Sequence, residues 1–137
     1  MKVTKKDIKR MMVKAGWMHP MDQPIMYLMD HSFGLHNEQE VWDLIGQDDT
    51  DRMKYIPEIW DCDDFAFRLN GYINERLPGK LNGVLIIETQ MDPNNPGVTG
   101  YHAVFFYGTD NYRVEVVEPQ NDKPFSHPFK VMAVIAY

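Results

Sequence analysis

The stretch Tyr101-His-Ala-Val-Phe-Phe-Tyr-Gly-Thr-Asp-Asn-Tyr-Arg-Val-Glu-Val-Val-Glu118 decides the fold of this 137-residue chain. Val, Phe and Tyr are concentrated on both sides of Gly108-Thr-Asp-Asn, which has the composition of a turn. This pattern predicts two antiparallel strands, 101–107 and 112–118, joined as a hairpin. The hairpin is the first indication of a sheet in the second half of the chain.

The turn also suggests a register for the two strands. If Gly108 pairs with Tyr112, then His102 lies directly opposite Glu118 on the face that carries Val104. Side chains that are directly opposed in this way have Cβ atoms about 4.5–5.5 Å apart. Glu118 is therefore expected to hold the imidazole of His102.

Working outward from the hairpin, two further runs rich in Val, Ile and Phe predict strands at 83–89 and 129–136. In the first half the apolar residues have helical spacing, which predicts three helices. The first two start at the capping residues Thr4 and Asn37, and the third runs from Cys62 to Arg76. The predicted fold class is α+β, with N-terminal helices packed on an antiparallel sheet of about four strands.

We expect one domain, because the chain contains no linker, repeat or low-complexity segment. Its expected parts are a helical N-terminal region at 1–54, a core at 55–121 that carries the candidate site, and a final strand within 122–137. The length is sufficient for a hydrophobic core of its own.

Composition narrows the function classes. The formal charge of −6 and the absence of a basic stripe argue against a nucleic-acid partner. No apolar run approaches the roughly 20 residues of a membrane span, and the N-terminus lacks the apolar stretch of a signal peptide. With a single cysteine, the expected location is the cytoplasm, or the host cytoplasm if a phage encodes the chain.

The single cysteine, Cys62, stands where the third predicted helix begins. A helix N-terminus favours the thiolate. His102 and Glu118 follow, and together the three residues are the inventory of a nucleophile, its base and the group that orients the base. Taken singly, each has a simpler interpretation: an inert buried thiol, a partly buried histidine and a strand-end carboxylate.

Acidic residues on both sides of Cys62 oppose this chemistry, because negative charge raises the pKa of a neighbouring thiol. A bound cation would relieve the conflict. Hard oxygen ligands that suit calcium are present nearby in the sequence. They are Asp63, Asp64, Gln120, Asn121 and Asp122.

Three short motifs stand out: Trp60-Asp-Cys-Asp-Asp-Phe-Ala, Tyr101-His-Ala and Glu118-Pro-Gln. Together they resemble the papain-like calcium-dependent cysteine protease domain at the C-terminal end of the Marasmius oreades agglutinin. Similar cores occur in small phage and bacterial proteins. The resemblance covers about residues 55–121. It implies a papain-like core in which Cys62 is the nucleophile, His102 the base and Glu118 the orienting residue. It also implies calcium ligation by Asp63, Asp64 and Gln120.

Three functions follow from these observations. The first is a cysteine peptidase-like hydrolase that acts on a peptide or protein substrate, with calcium as a cofactor. The second is a deamidase or transglutaminase-type acyltransferase, which shares the nucleophile and base and differs only in the second attacking group. The third is a non-catalytic, calcium-bound binding module, such as a phage factor that sequesters a host protein. The sequence leaves the oligomeric state open.

Overall fold

The computed structural model describes residues 2–58, 60–92, 94–95 and 97–137. It contains three α-helices, one 3-10 turn and eight strands. The α-helices are α1 (Lys5–Lys14), α2 (Glu38–Gln47) and α3 (Cys62–Arg76), and the 3-10 turn is Thr50–Arg52. In the described ranges, no helix combines the length and the apolar character needed to cross a bilayer.

The helix starts predicted from capping residues are confirmed. At α1 the backbone N–H of Thr4 donates to the carboxylate of Asp7 over 2.8 Å, which completes a capping box. At α2 the side chain of Asn37 accepts a hydrogen bond from the backbone N–H of Glu40 over 3.2 Å. The bounds of α3 agree with the prediction at both ends.

The main sheet has six strands instead of the predicted four. Their order is β2-β8-β4-β5-β6-β7, and a separate two-stranded sheet pairs β1 with β3. The sheet is mixed, because β2 runs parallel to β8 while the other neighbours are antiparallel. The additional strands are too short to produce a clear alternating pattern. In chain order the strands are β1 (Lys2–Thr4), β2 (Ile25–Leu28), β3 (Ser32–Gly34), β4 (Asn82–Gln90), β5 (Thr99–Gly108), β6 (Val114–Glu118), β7 (Lys123–Pro124) and β8 (Phe129–Ala136).

Helices cover both faces of the sheet. On one face α1 contributes Ile8 and Met12 to a core that includes Val104 and Phe106 of β5. On the other face α2 and α3 pack against the alternate residues of the same strand, Ala103, Phe105 and Tyr107. The chain therefore forms three layers, with α1 on one side of the sheet and α2 and α3 on the other.

Close approach of two central strands depends on Gly83. A Cβ atom built on Gly83 would lie 1.9 Å from the backbone oxygen of Ile135 in β8. No side chain fits at this position without separating β4 from β8. The glycine therefore fixes the spacing at the centre of the sheet.

The predicted hairpin register is wrong by two residues. Phe105 lies opposite Val117, so His102 is not directly opposite Glu118. The turn is displaced by one residue: the backbone N–H of Thr109 donates to the carbonyl of Arg113 over 2.8 Å, so the three-residue loop is 110–112 and not 109–111. An even shift preserves the faces of a strand, and His102 and Glu118 therefore remain on the same face.

Candidate functional site

Cys62 is the first residue of α3, and local sequence fixes that start. Asp61 has an extended backbone and caps the helix, and its N–H donates to the carboxylate of Asp64 over 3.1 Å. The thiol is partly buried, against the small cluster of Ala66, Val84 and Ala103. The thiol is thus held at the positive end of a 15-residue helix.

His102 lies on β5 beyond the point where β6 ends. The ladder between β5 and β6 begins at Phe105, whereas β4 continues beside β5 and pairs Ile87 with His102. This part of β5 therefore has one open edge, and the start of α3 meets it there. The backbone N–H of Ala103 and the side chain of His102 both interact with the Cys62 thiol.

Glu118, the last residue of β6, holds the far side of the imidazole. Its Oε2 lies 2.5 Å from Nε2 of His102. Its other oxygen accepts a hydrogen bond from the backbone N–H of Gln120 over 3.3 Å. The side chains of His102 and Glu118 are only 18% and 13% exposed, so the pair is largely screened from solvent. Because Nε2 faces Glu118, Nδ1 is the ring nitrogen left for the thiol.

The two titrating partners shift in opposite directions. Hydrogen bonding to His102 is the largest influence on the pKa of Cys62 and lowers it; partial burial opposes this, and the Ala103 N–H lowers it further. For His102, burial lowers the pKa, but the bonds to Cys62 and Glu118 outweigh it and raise the pKa to about 9. Both shifts favour a thiolate–imidazolium pair near neutral pH.

Three carboxylates surround the start of α3. Ligand oxygens of Asp61, Asp63 and Asp64 lie within 4.8 Å of one another. Hydrogen bonding to Asp63 and burial raise the pKa of Asp61 to about 6. Repulsion from the charges of Asp63 and Asp64 contributes in the same direction. The charge of Asp63 also raises the pKa of the Cys62 thiol. Clustered carboxylate oxygens are the donor type that calcium prefers, so the residues present fit that ion.

The oxygen ligands predicted from the sequence lie in separate places. Asp63 and Asp64 join the cluster, together with Asp61, which was not among the predicted ligands. Gln120 lies apart from this cluster, where its backbone N–H donates to Glu118.

Asp122 belongs to another acidic group. Burial is the largest cause that raises its pKa to about 7, followed by the charges of Asp51 and Asp48. Asp48 is 2% exposed. Its charge is partly balanced by Arg68, whose guanidinium lies 3.8 Å from Asp48 and 2.6 Å from Asp49. This group ties α3 to the turn that follows α2.

Sequence reasoning missed two contributors to the site. The first is the Ala103 N–H, a backbone group whose contact with the thiol no pattern of residue types predicts. Phe125 packs against the imidazole in a tilted arrangement, with ring centroids 5.9 Å apart. It comes from the segment between β7 and β8, which had no assigned role. A cavity of about 330 Å³ opens beside this ring. It is lined by Glu118, Asn121, Lys123, Pro124, Phe125, Ser126 and His127.

Comparisons with known proteins identify the fold. No protein-family model matches the sequence, and no curated protein matches it. Solved structures do match: a complex of PSL1a with E64 superposes with a TM-score of 0.71 at 17% identity. A second structure is Polyporus squamosus lectin bound to the human-type influenza-binding epitope Neu5Aca2-6Galb1-4GlcNAc. It superposes with a TM-score of 0.70 at 18% identity.

Coverage shows which part of those proteins is shared. The alignments include 96% and 95% of this chain but 49% and 48% of the lectin chains. This chain therefore spans about half the length of the lectins it matches. The likeness to a fungal agglutinin expected from the three motifs is confirmed at the level of the fold, and at this identity it extends no further.

Proposed function

We propose that this protein is a cysteine peptidase-type hydrolase that cleaves peptide or amide bonds with Cys62, His102 and Glu118. The carrying observation is that the imidazole of His102 contacts the largely buried carboxylate of Glu118 and lies beside the thiol at the start of α3. In agreement with this geometry, the pKa of the thiol is lowered and that of the imidazole is raised. An inert cysteine needs neither partner. A perturbed pair of this kind on an open strand edge is typical of a nucleophilic site.

The geometry supports the following sequence of steps. The Cys62 thiolate attacks the carbonyl carbon, and the oxygen takes up negative charge. The Cys62 backbone N–H, at the start of α3, is a donor for that oxyanion. Imidazolium His102 donates its proton to the leaving amine as the C–N bond breaks. Water then loses a proton to His102, attacks the thioester and releases the acid and the thiol. Glu118 keeps the ring oriented throughout.

The comparisons add support at the level of fold. PSL1a, which shares the fold, has been solved with E64. E64 carries an epoxide, and a thiolate opens that ring to form a thioether. A chain with this fold and an activated thiol is a reasonable target for the same reagent. The likeness therefore suggests a direct assay for Cys62.

Calcium belongs to the proposal as a regulator. Asp61, Asp63 and Asp64 would hold the ion at the first turn of α3. Bound calcium supplies positive charge beside the thiol and offsets the carboxylates that raise the thiol pKa.

The test is labelling of the intact chain with E64 at pH 6, detected by mass spectrometry. In a separate assay, the unlabelled chain is tested for cleavage of a quenched-fluorescent peptide library. We expect one adduct on the wild type, none on Cys62→Ser and slow labelling of His102→Asn. His31→Asn makes the same chemical change at an exposed histidine and is expected to label like the wild type. An unlabelled wild-type thiol, or equal labelling of both histidine variants, would refute the proposal.

Acyl transfer to an amine in place of water uses the same nucleophile and base. Adding a primary amine such as cadaverine to the peptide assay separates the two reactions, because a transferase incorporates the amine into the product. Hydrolysis alone supports the peptidase proposal.

A non-catalytic binding module is the second candidate, since one neighbour is a Polyporus squamosus lectin solved with a glycan. The trisaccharide seen with the Polyporus lectin is the appropriate probe. If this chain binds it by titration calorimetry, and Cys62→Ser binds it equally well, the thiol is dispensable and the module hypothesis gains.

A further inference from the structure

The charge of this protein is distributed very unevenly. Residues 2–14, which form β1 and α1, contain six Lys or Arg residues and one acidic residue, Asp7. The rest of the chain has eight basic and 19 acidic residues. An acidic molecule thus carries a compact basic surface on its N-terminal helix, which sequence analysis overlooked.

The fold makes little use of these cations. The buried face of α1 consists of Ile8, Met11 and Met12, so packing is carried by apolar side chains. Among the described residues, the one ion pair made by a cation of α1 joins Arg10 to Asp7 at 3.9 Å. That carboxylate is also engaged in the capping box of the helix. The basic side chains are therefore available to a partner.

The basic surface is concave. A cavity of about 360 Å³ lies between α1 and the turn that follows it. It is lined by Lys6, Lys9, Arg10, Val13, Lys14 and Pro20. The next residue after that turn proline, Met21, is 78% exposed. The apolar side chains of Val13 and Pro20 thus lie between the cations. A helix face that contacts only solvent would not need this apolar surface.

We propose that this cavity, the α1 basic cavity, binds an extended acidic segment of a partner protein that carries an apolar side chain between its acidic residues. Lys6 and Lys14 are eight residues apart on the helix, which is about 12 Å at 1.5 Å per residue. An extended segment of about four residues spans the same distance. Acidic side chains would face the lysines, and the apolar one would contact Val13 and Pro20.

Two other anionic partners fit the cavity less well. Its described lining contains no aromatic side chain on which a nucleic-acid base would stack. A bilayer surface is broad and would contact the rim of a concave site without filling it. The site also lies on the sheet face opposite α3, so it is separate from Cys62 and does not depend on the proposed chemistry.

The experiment is fluorescence anisotropy with a labelled Glu-Glu-Leu-Glu-Glu peptide. We expect binding that weakens steeply between 50 and 500 mM salt, because exposed charges are screened. Lys6→Gln combined with Lys14→Gln is expected to weaken binding about tenfold, the sum of two exposed charge contacts. The control combines Lys54→Gln with Lys130→Gln, which removes the same charge from exposed positions elsewhere and is expected to leave binding unchanged.

Substituting Ser for Leu in the peptide tests the apolar contact, and the proposal predicts weaker binding at equal charge. Equal losses in the two double variants would overturn the proposal, as would absence of binding. Tighter binding of a single-stranded oligonucleotide, or of phosphatidylserine vesicles, than of the peptide would also overturn it. Circular dichroism of each double variant shows that a loss of binding is not a loss of folding.

Discussion

Replacing Glu118 with Gln tests whether the carboxylate activates the thiol through His102. The change keeps the size of the side chain and removes its charge 2.5 Å from the imidazole. The pKa of His102 stands at about 9 against an ordinary 6.5. At about 1.4 kcal/mol for each pKa unit, its surroundings favour the imidazolium by about 3 kcal/mol.

Two partners, Cys62 and Glu118, raise that pKa. If Glu118 supplies about half of the stabilisation, Glu118→Gln lowers the preference for imidazolium by about 1.5 kcal/mol, which corresponds to about tenfold. The pKa of the thiol then rises by a similar amount, because its stabilisation by His102 depends on the positive charge. We expect alkylation of Cys62 by iodoacetamide at pH 6 to slow about tenfold.

The assay is the alkylation rate from pH 4 to 9. In the wild type the rate should rise at a pH below the ordinary range of a thiol, and in Glu118→Gln this rise should move to higher pH. Glu115→Gln is the matched control, since Glu115 is a partly buried carboxylate on the same strand and does not contact the imidazole. Superimposable profiles for wild type and Glu118→Gln would show that the carboxylate does not activate the thiol.

Three further predictions concern the carboxylates and the glycines. With chelator, Asp63→Asn should lower the thiol pKa because the opposing charge is gone; millimolar calcium should lower it in the wild type and less in the variant, and a profile indifferent to calcium would contradict this. Burial and neighbouring aspartates raise the pKa of Asp122 to about 7, so its ionisation opposes folding as pH rises from about 4 through 7. Asp122→Asn should therefore raise the urea midpoint at pH 8 and raise it much less at pH 4.5. The control Asp30→Asn should not raise the midpoint at pH 8. Gly83→Ala should lower the free energy of unfolding by about 3 kcal/mol or more, because its Cβ meets β8 backbone; Gly46→Ala, with open space on an exposed helix, should raise it by up to about 1 kcal/mol, and equal effects would contradict the packing argument.

The helices were predictable because their signals are local. Thr4 with Asp7, and Asn37, mark the first two helix starts through hydrogen bonds within four residues. Asp61 marks the third in the same way. The complete sheet was not predictable from local pattern. β2 reaches its partner β8 from more than 100 residues away along the chain, and its four residues alone indicate no partner.

The hairpin register failed for a related reason. Alternation fixes a register only when one face of a strand is buried and the other is exposed. In β5 both faces are covered, so Phe105 and Phe106 are each fully buried on opposite sides. The turn then became the only evidence, and the prediction placed its three-residue loop at 109–111 instead of 110–112. His102 and Glu118 met in spite of this error because a two-residue shift leaves both on one face.

The start of α3 contains a conflict that explains how the site is balanced. Asp61 and Asp64 stabilise the first turn through the capping box, and Asp63 shares the same turn. Yet the charge of Asp63 raises the pKa of the thiol that the helix presents. The pKa is nevertheless lowered, and hydrogen bonding to His102 and to the backbone N–H of Ala103 on β5 contributes to that direction. We therefore expect activation of the thiol to depend on the tertiary contact between α3 and β5 as well as on the helix N-terminus, so that loosening the contact raises the pKa of Cys62.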